Sequence, residues 1–129
     1  MTTRTLLAIV LGLIAASCAQ MESRAPTPAA AAPQEEVLTN AVGMTLYVFD
    51  KDVAGSGKST CNGPCEANWP AQLASKDAIG FGKYTIITRD DGARQWAYDG
   101  RPLYGWAKDQ KPGDRTGDNF NNVWHVAKP

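Results

Sequence analysis

The sequence predicts a small, mainly β single domain built from two pseudo-symmetric hairpin-plus-loop repeats with short helical turns. Three observations carry that expectation. Gly43-Met44-Thr45-Leu46-Tyr47-Val48-Phe49-Asp50-Lys51-Asp52 recurs 57 residues later as Gly100-Arg101-Pro102-Leu103-Tyr104-Gly105-Trp106-Ala107-Lys108-Asp109. Gly, Leu, Tyr, Lys and Asp stay in register, a match that argues for a duplicated supersecondary unit. The apolar runs are short and alternating, with Gly, Asn and Asp between them, which is strand-and-turn patterning. All eleven aromatic residues lie beyond residue 36, so the core is confined to the later part of the chain.

The first part reads as an address. Arg4 precedes an unbroken apolar run from Leu6 to Ala16. That run is shorter than the roughly 20 residues a membrane span needs, and it fits the apolar region of a secretory signal over residues 1–17. Ala15-Ala16-Ser17-Cys18 resembles a bacterial lipobox, with Ala15 where Leu is usual. Cleavage after Ala19 also satisfies the small-residue rule and would release a soluble protein. Lipidation of Cys18 accounts for the odd one of the three cysteines. Residues 18–36 then carry Pro26, Pro28 and Pro33, four consecutive alanines, and no aromatic or branched aliphatic side chain. Such a stretch buries too little to offset its ordering entropy. It reads as a tether that reaches on the order of 50 Å when extended.

The folded domain is expected over residues 37–129, with repeat one about 37–70 and repeat two about 94–126. Val37-Leu38-Thr39 and Met44 to Phe49 read as strands joined by the turn Asn40 to Gly43. Alternation places Leu46 and Val48 on one face of the second strand, and Tyr47 and Phe49 on the other. Asp50 to Thr60 is loop. Asn62 to Asn68 holds one helical turn before Trp69-Pro70, and residues 71–83 give no clear signal. Tyr84 to Thr88 is β-branched and alternating. Asp90-Asp91-Gly92 turns the chain into a strand at Gln95 to Tyr98. Asp99-Gly100 is a strong two-residue hairpin signal, and Leu103 to Trp106 is expected to return as a strand. Lys108 to Asn122 mirrors the first loop, and Val123 to Val126 closes the domain.

Composition narrows the chemistry. Thirteen basic and thirteen acidic side chains leave no basic excess for a phosphate backbone, so nucleic acid is not an expected partner. Cys61-Asn62-Gly63-Pro64-Cys65 in an exported protein reads by default as a disulfide. Its short loop places the contribution toward the lower end of about 2–4 kcal/mol. The alternative is a redox dithiol, although the spacing is Cys-x3-Cys and no thioredoxin-like pattern surrounds it. His125 is the single histidine. No Ser or Cys is evidently placed as its nucleophile, and a zinc site would need further N or S ligands. Asp50-x-Asp52-x-x-Gly55 starts like a calcium loop, but Ala54 and Cys61 stand where ligands should be. No metal site or cofactor is therefore expected. Asp52 and Asp109 are expected to accept hydrogen bonds from loop N–H groups. The motif aromatics Tyr47, Phe49, Tyr104 and Trp106 read mainly as core. Trp69, Trp96, Tyr98 and Trp124 are candidates for either core or a stacking platform for a sugar or other flat ligand.

The duplicated Tyr47-to-Asp52 and Tyr104-to-Asp109 spacing resembles the tandem Tyr-x4-Asp motif of the bacterial secreted-repeat lipoproteins, a family of unknown function. The resemblance runs over residues 37 to 129. It implies an exported protein, lipid-anchored in the bacterial cell envelope, on the periplasmic side of the outer membrane in a Gram-negative cell. On these grounds the expected role is a non-catalytic binding or structural module rather than an enzyme. Its expected partners are the membrane, through the lipid anchor, and an envelope protein or glycan. The alternative from another class is a redox or metal-handling envelope protein using Cys61, Cys65 and His125.

Overall fold

The computed structural model describes Gly12 and residues 36–129. The signal, the Cys18 anchor and almost all of the tether lie outside the described residues. Seven short elements follow in order: β1 (Tyr47–Phe49), α1 (Pro64–Asn68), β2 (Tyr84–Thr88), β3 (Arg94–Tyr98), β4 (Arg101–Pro102), a 3₁₀ turn (Phe120–Asn122) and β5 (Trp124–Val126). They form two antiparallel sheets, β1-β5 and β2-β3-β4. The domain is mainly β, with short helical turns.

The local signals act where they are strongest. Asp99 and Gly100 both take positive φ, 49° and 79°, and join β3 to β4 as the tight turn that Asp-Gly favours. Pro64 opens α1 at the position where a missing N–H costs nothing. The helix ends at Trp69, whose N–H bonds the Cys65 carbonyl at 2.9 Å.

The strand at Tyr84–Thr88 forms as expected and the next gains Arg94, but the other expected strands are shorter than their apolar runs. Val37 to Thr39 contributes a single bridge, Thr39 to Thr45. Leu103 to Trp106 is not a strand: β4 is Arg101–Pro102. The reason lies in where the backbone groups go. Leu103 N–H bonds Trp96 of β3, Tyr104 bonds Tyr47, and Gly105 and Ala107 bond Pro70 and Asn68. One extended stretch thus serves three partners in succession, and no continuous ladder forms. The segment without a clear signal joins this scheme through bridges from Ala71 to Tyr104 and from Leu73 to Gln95.

The two repeats are interlocked by reciprocal pairing. Tyr47 and Tyr104 exchange both backbone hydrogen bonds, at 2.7 and 2.9 Å. Gln72 of repeat one inserts between Trp96 and Leu103 of repeat two, with bonds of 2.8 and 2.9 Å. Ala127 of repeat two inserts in the same way between Leu38 and Leu46 of repeat one, with both bonds at 2.8 Å. Asp50 N–H reaches Val123, and its counterpart Ala107 N–H reaches Asn68. Each repeat therefore completes the sheet of the other about a pseudo-twofold axis through the Tyr47–Tyr104 pair.

β1 and its continuation divide the core into two. Leu38, Leu46, Val48, Leu103 and Ala127 form one cluster. Tyr47, Cys61, Trp69, Tyr104, Trp106, Trp124 and Val126 form the other. The split follows strand alternation, with both faces buried. In the second cluster Phe49, Trp124, Trp69 and Trp106 make a continuous stack, with successive centroids 4.2, 3.9 and 4.0 Å apart. Tyr47 stands edge-on to Trp69 and Tyr104 edge-on to Trp124. This is the offset-and-edge geometry that the aromatic quadrupole favours.

Candidate functional site

The duplicated motif closes on itself across the repeats. The Tyr47 hydroxyl donates to Asp109 Oδ2 at 2.6 Å, and the Tyr104 hydroxyl donates to Asp52 Oδ2 at 2.5 Å. Each tyrosine thus pairs with the aspartate of the other repeat, not with the one five residues along. The remaining carboxylate oxygens hold the loops. Asp52 Oδ1 accepts from the Thr60 N–H and hydroxyl, both at 2.7 Å. Asp109 Oδ1 accepts from the Thr116 N–H at 3.0 Å and its hydroxyl at 2.6 Å. All four motif residues are buried, and both phenols are wholly inaccessible. Burial is the main cause that pushes the Tyr47 and Tyr104 hydroxyls well above the usual phenol range, and the adjacent carboxylates add to it. The Gly117 N–H on Tyr47 and the Ser59 hydroxyl on Tyr104 offset part of the rise.

The first half of this network extends inward. Ser59 Oγ sits 2.6 Å from the Tyr104 hydroxyl and accepts from Arg89 Nη1 at 3.0 Å. Arg89 is 2% exposed and anchors the cysteine loop. Its guanidinium donates to Gln95 Oε1, the Cys61 carbonyl and Asn62 Oδ1, and it pairs with Glu66 at 3.1 Å. A buried charge persists only when paired and hydrogen-bonded in this way. Cys61 and Cys65 are joined in a disulfide, with Cα atoms 5.2 Å apart. Both thiols that the redox or metal alternative requires are therefore engaged with each other. Among the described residues, no group of three or more His, Cys, Asp or Glu could hold a metal ion.

His125 lies apart from the disulfide-and-arginine cluster. Its Nε2 is 2.8 Å from Asp50 Oδ2, and both side chains are partly exposed. His125 borders an open groove of about 420 Å³ whose walls include Lys83, Tyr98 and Arg101. Ala107 occupies the Asp50 position of the second repeat, so the pair is not a property of the repeat.

The four candidate platform residues separate. Trp69 and Trp124 are each 3% exposed, and their faces are spent on one another and on their neighbours in the stack. Trp96 and Tyr98 are half-buried on β3. Trp96 lines a second cleft, of about 410 Å³, with Phe81, Tyr84 and Gln72 over a floor of Leu46 and Leu103. Tyr98 lines the His125 groove instead.

A family model described as a secreted repeat of unknown function matches the chain twice, over residues 30–72 and 85–128. The chain belongs to that family. No curated protein and no solved structure matches it. In this secreted repeat the two matched spans contain the two interlocked units, and the family description supports export.

Sequence reasoning passed over Arg89, Gln95, Ser59 and the two threonines. The threonines had a signal. Thr60 follows Asp52 by eight residues and Thr116 follows Asp109 by seven, so the repeat extends to Tyr-x4-Asp-x6-7-Thr. Arg89 had none, because a lone arginine after a strand reads as surface.

Proposed function

We propose that this secreted repeat is a membrane-anchored, non-catalytic binding module of the bacterial envelope. One observation carries the reading. The residues that define the repeat are consumed in holding its halves together: both tyrosine hydroxyls and all four oxygens of Asp52 and Asp109 have internal partners. A catalytic or ligand-binding carboxylate needs a free lone pair facing substrate; these face only the protein. The duplicated motif is therefore a clasp, and recognition falls to the surface it supports, where aromatic side chains border an open cleft. Cys18, carrying a lipid, would hold the domain to a membrane, and residues 19–36 would give it reach. Among the described residues no helix is long and apolar enough to cross a membrane.

The anchor is tested by metabolic palmitate labelling and fractionation. The wild-type protein should label and sediment with membranes, and Cys18→Ser should do neither. Equal labelling of the variant, or a mature N-terminus at Gln20, refutes the anchor. The binding role is tested by cross-linking in intact cells, which should join the anchored protein to an envelope component. The absence of any adduct counts against it.

A further inference from the structure

We infer that the cleft beside β3 binds one end of an uncharged oligosaccharide, with a pyranose ring stacked among Phe81, Tyr84 and Trp96. The assignment rests on the binding reading above and gives it a place and a ligand class. The three rings stand close together, with centroids 5.0, 5.9 and 6.1 Å apart, and the Trp96 plane is steeply inclined to the other two. Phe81 and Tyr84 meet at a tilt of 33°, and Trp96 closes a corner edge-on to both. Phe81 is 65% exposed, although it is one of the largest apolar side chains of the domain. The floor is aliphatic, from the buried Leu46 and Leu103.

Three features choose among ligands. No charged residue lines the cleft, so nothing there compensates a phosphate, a carboxylate or an ammonium group. The walls are aromatic, and a π face carries negative potential that attracts the weakly positive C–H bonds on the flat side of a sugar ring. Its lining residues also carry polar groups. Among the described residues no hydrogen bond reaches the Gln72 amide, the Trp96 indole N–H or the Tyr84 hydroxyl, and all three residues line the cleft while half-buried. Together they supply donors and acceptors suited to sugar hydroxyls. An acyl chain would leave those groups unpaired and dry, which costs free energy. A volume of about 410 Å³ falls within the range of small-molecule sites.

The full chain should be titrated by tryptophan fluorescence and calorimetry with chitotetraose, cellotetraose and maltotetraose, and with adenosine and palmitate as competing classes. Saturable binding of at least one saccharide is expected. Trp96→Ala and Phe81→Ala should each weaken it by about tenfold or more, and Leu73→Ala, outside the cleft, should not. Should Trp96→Ala fail to fold, Phe81→Ala decides, because that side chain is mostly exposed. Saccharide binding that survives both variants overturns the cleft assignment and leaves the binding module standing. Binding of adenosine or palmitate in place of every saccharide overturns the ligand class. If no saccharide binds up to about 10 mM, a weaker affinity than about 3 kcal/mol would give, the outcome is read with the cross-linking above. Undiminished envelope adducts then overturn the sugar alone, and their absence overturns both readings.

Discussion

If the motif is a clasp between repeats, its energetics must follow the cross-repeat pairs and not the sequence order. Tyr47→Phe removes one hydroxyl. It leaves Asp109 Oδ2 and the Gly117 N–H without their partner, at 2.6 and 3.3 Å in the wild type. A hydrogen bond to a charged group contributes about 1.5–3 kcal/mol, so Tyr47→Phe should cost about that much. Asp109→Ala removes three accepted bonds, from the Tyr47 hydroxyl and from the N–H and hydroxyl of Thr116. It should cost more than Tyr47→Phe. The informative quantity is the double-mutant coupling. Tyr47→Phe with Asp109→Ala should couple by about 1.5–3 kcal/mol, because the second change removes what the first has already broken. Tyr47→Phe with Asp52→Ala, the pair joined by the linear motif, should be additive within about 0.5 kcal/mol. Urea unfolding of the wild type, the three single variants and the two doubles measures both couplings, provided the m value is unchanged. In a domain of this size each kcal/mol also moves Tm by about 4–8 °C. Larger coupling within the motif than across it would refute the interlocked arrangement. Unchanged stability at both aspartates would return the motif to the candidate binding residues.

Two further outcomes test the core and its protonation. A Cβ at Gly117 would lie 2.7 Å from Trp69 Cη2 and 2.9 Å from Trp106 Cγ, so Gly117→Ala should cost about 1–3 kcal/mol by overpacking the stack, read as a lower urea midpoint. Both buried phenols are held in the protonated form, above the ordinary value of 10.0 that applies once the chain unfolds. Their contribution is complete below pH 10 and is lost as pH rises beyond it. The slope with which the unfolding free energy falls should rise from about 0.7 kcal/mol per pH unit at pH 10 toward about 1.4 a unit higher, for each tyrosine. Tyr47→Phe or Tyr104→Phe should roughly halve that slope in urea titrations between pH 10 and 11.

Much of the fold was legible because its signals are local. Period-two alternation at Leu46, Tyr47, Val48 and Phe49 sets which side chain faces which core, whatever the partner. Asp99-Gly100 specifies its turn through backbone sterics alone. The 57-residue recurrence establishes that there are two equivalent units. The disulfide follows from spacing and compartment. None of these signals says what a strand pairs with. A backbone N–H at Gly105 carries no mark that it will bond Pro70 and not β3, so the expected strand at Leu103 to Trp106 dissolves into single bridges to three partners.

The same limit governs the motif. The sequence by itself determined that Tyr47, Asp52, Tyr104 and Asp109 form two equivalent pairs of residue types, because duplication is a linear property. Only the tertiary structure decided that each tyrosine serves the other repeat's aspartate. Reciprocal insertion of Gln72 and Ala127 brings groups 62 and 52 residues apart within hydrogen-bond reach. It also decided which tryptophans are core and which line a cleft. All four are equally apolar as written. Trp69 and Trp124 are buried by a stack that exists only when both repeats are in place, and Trp96, packed instead against the cluster of Leu38, Leu46 and Leu103, keeps part of its ring in solvent.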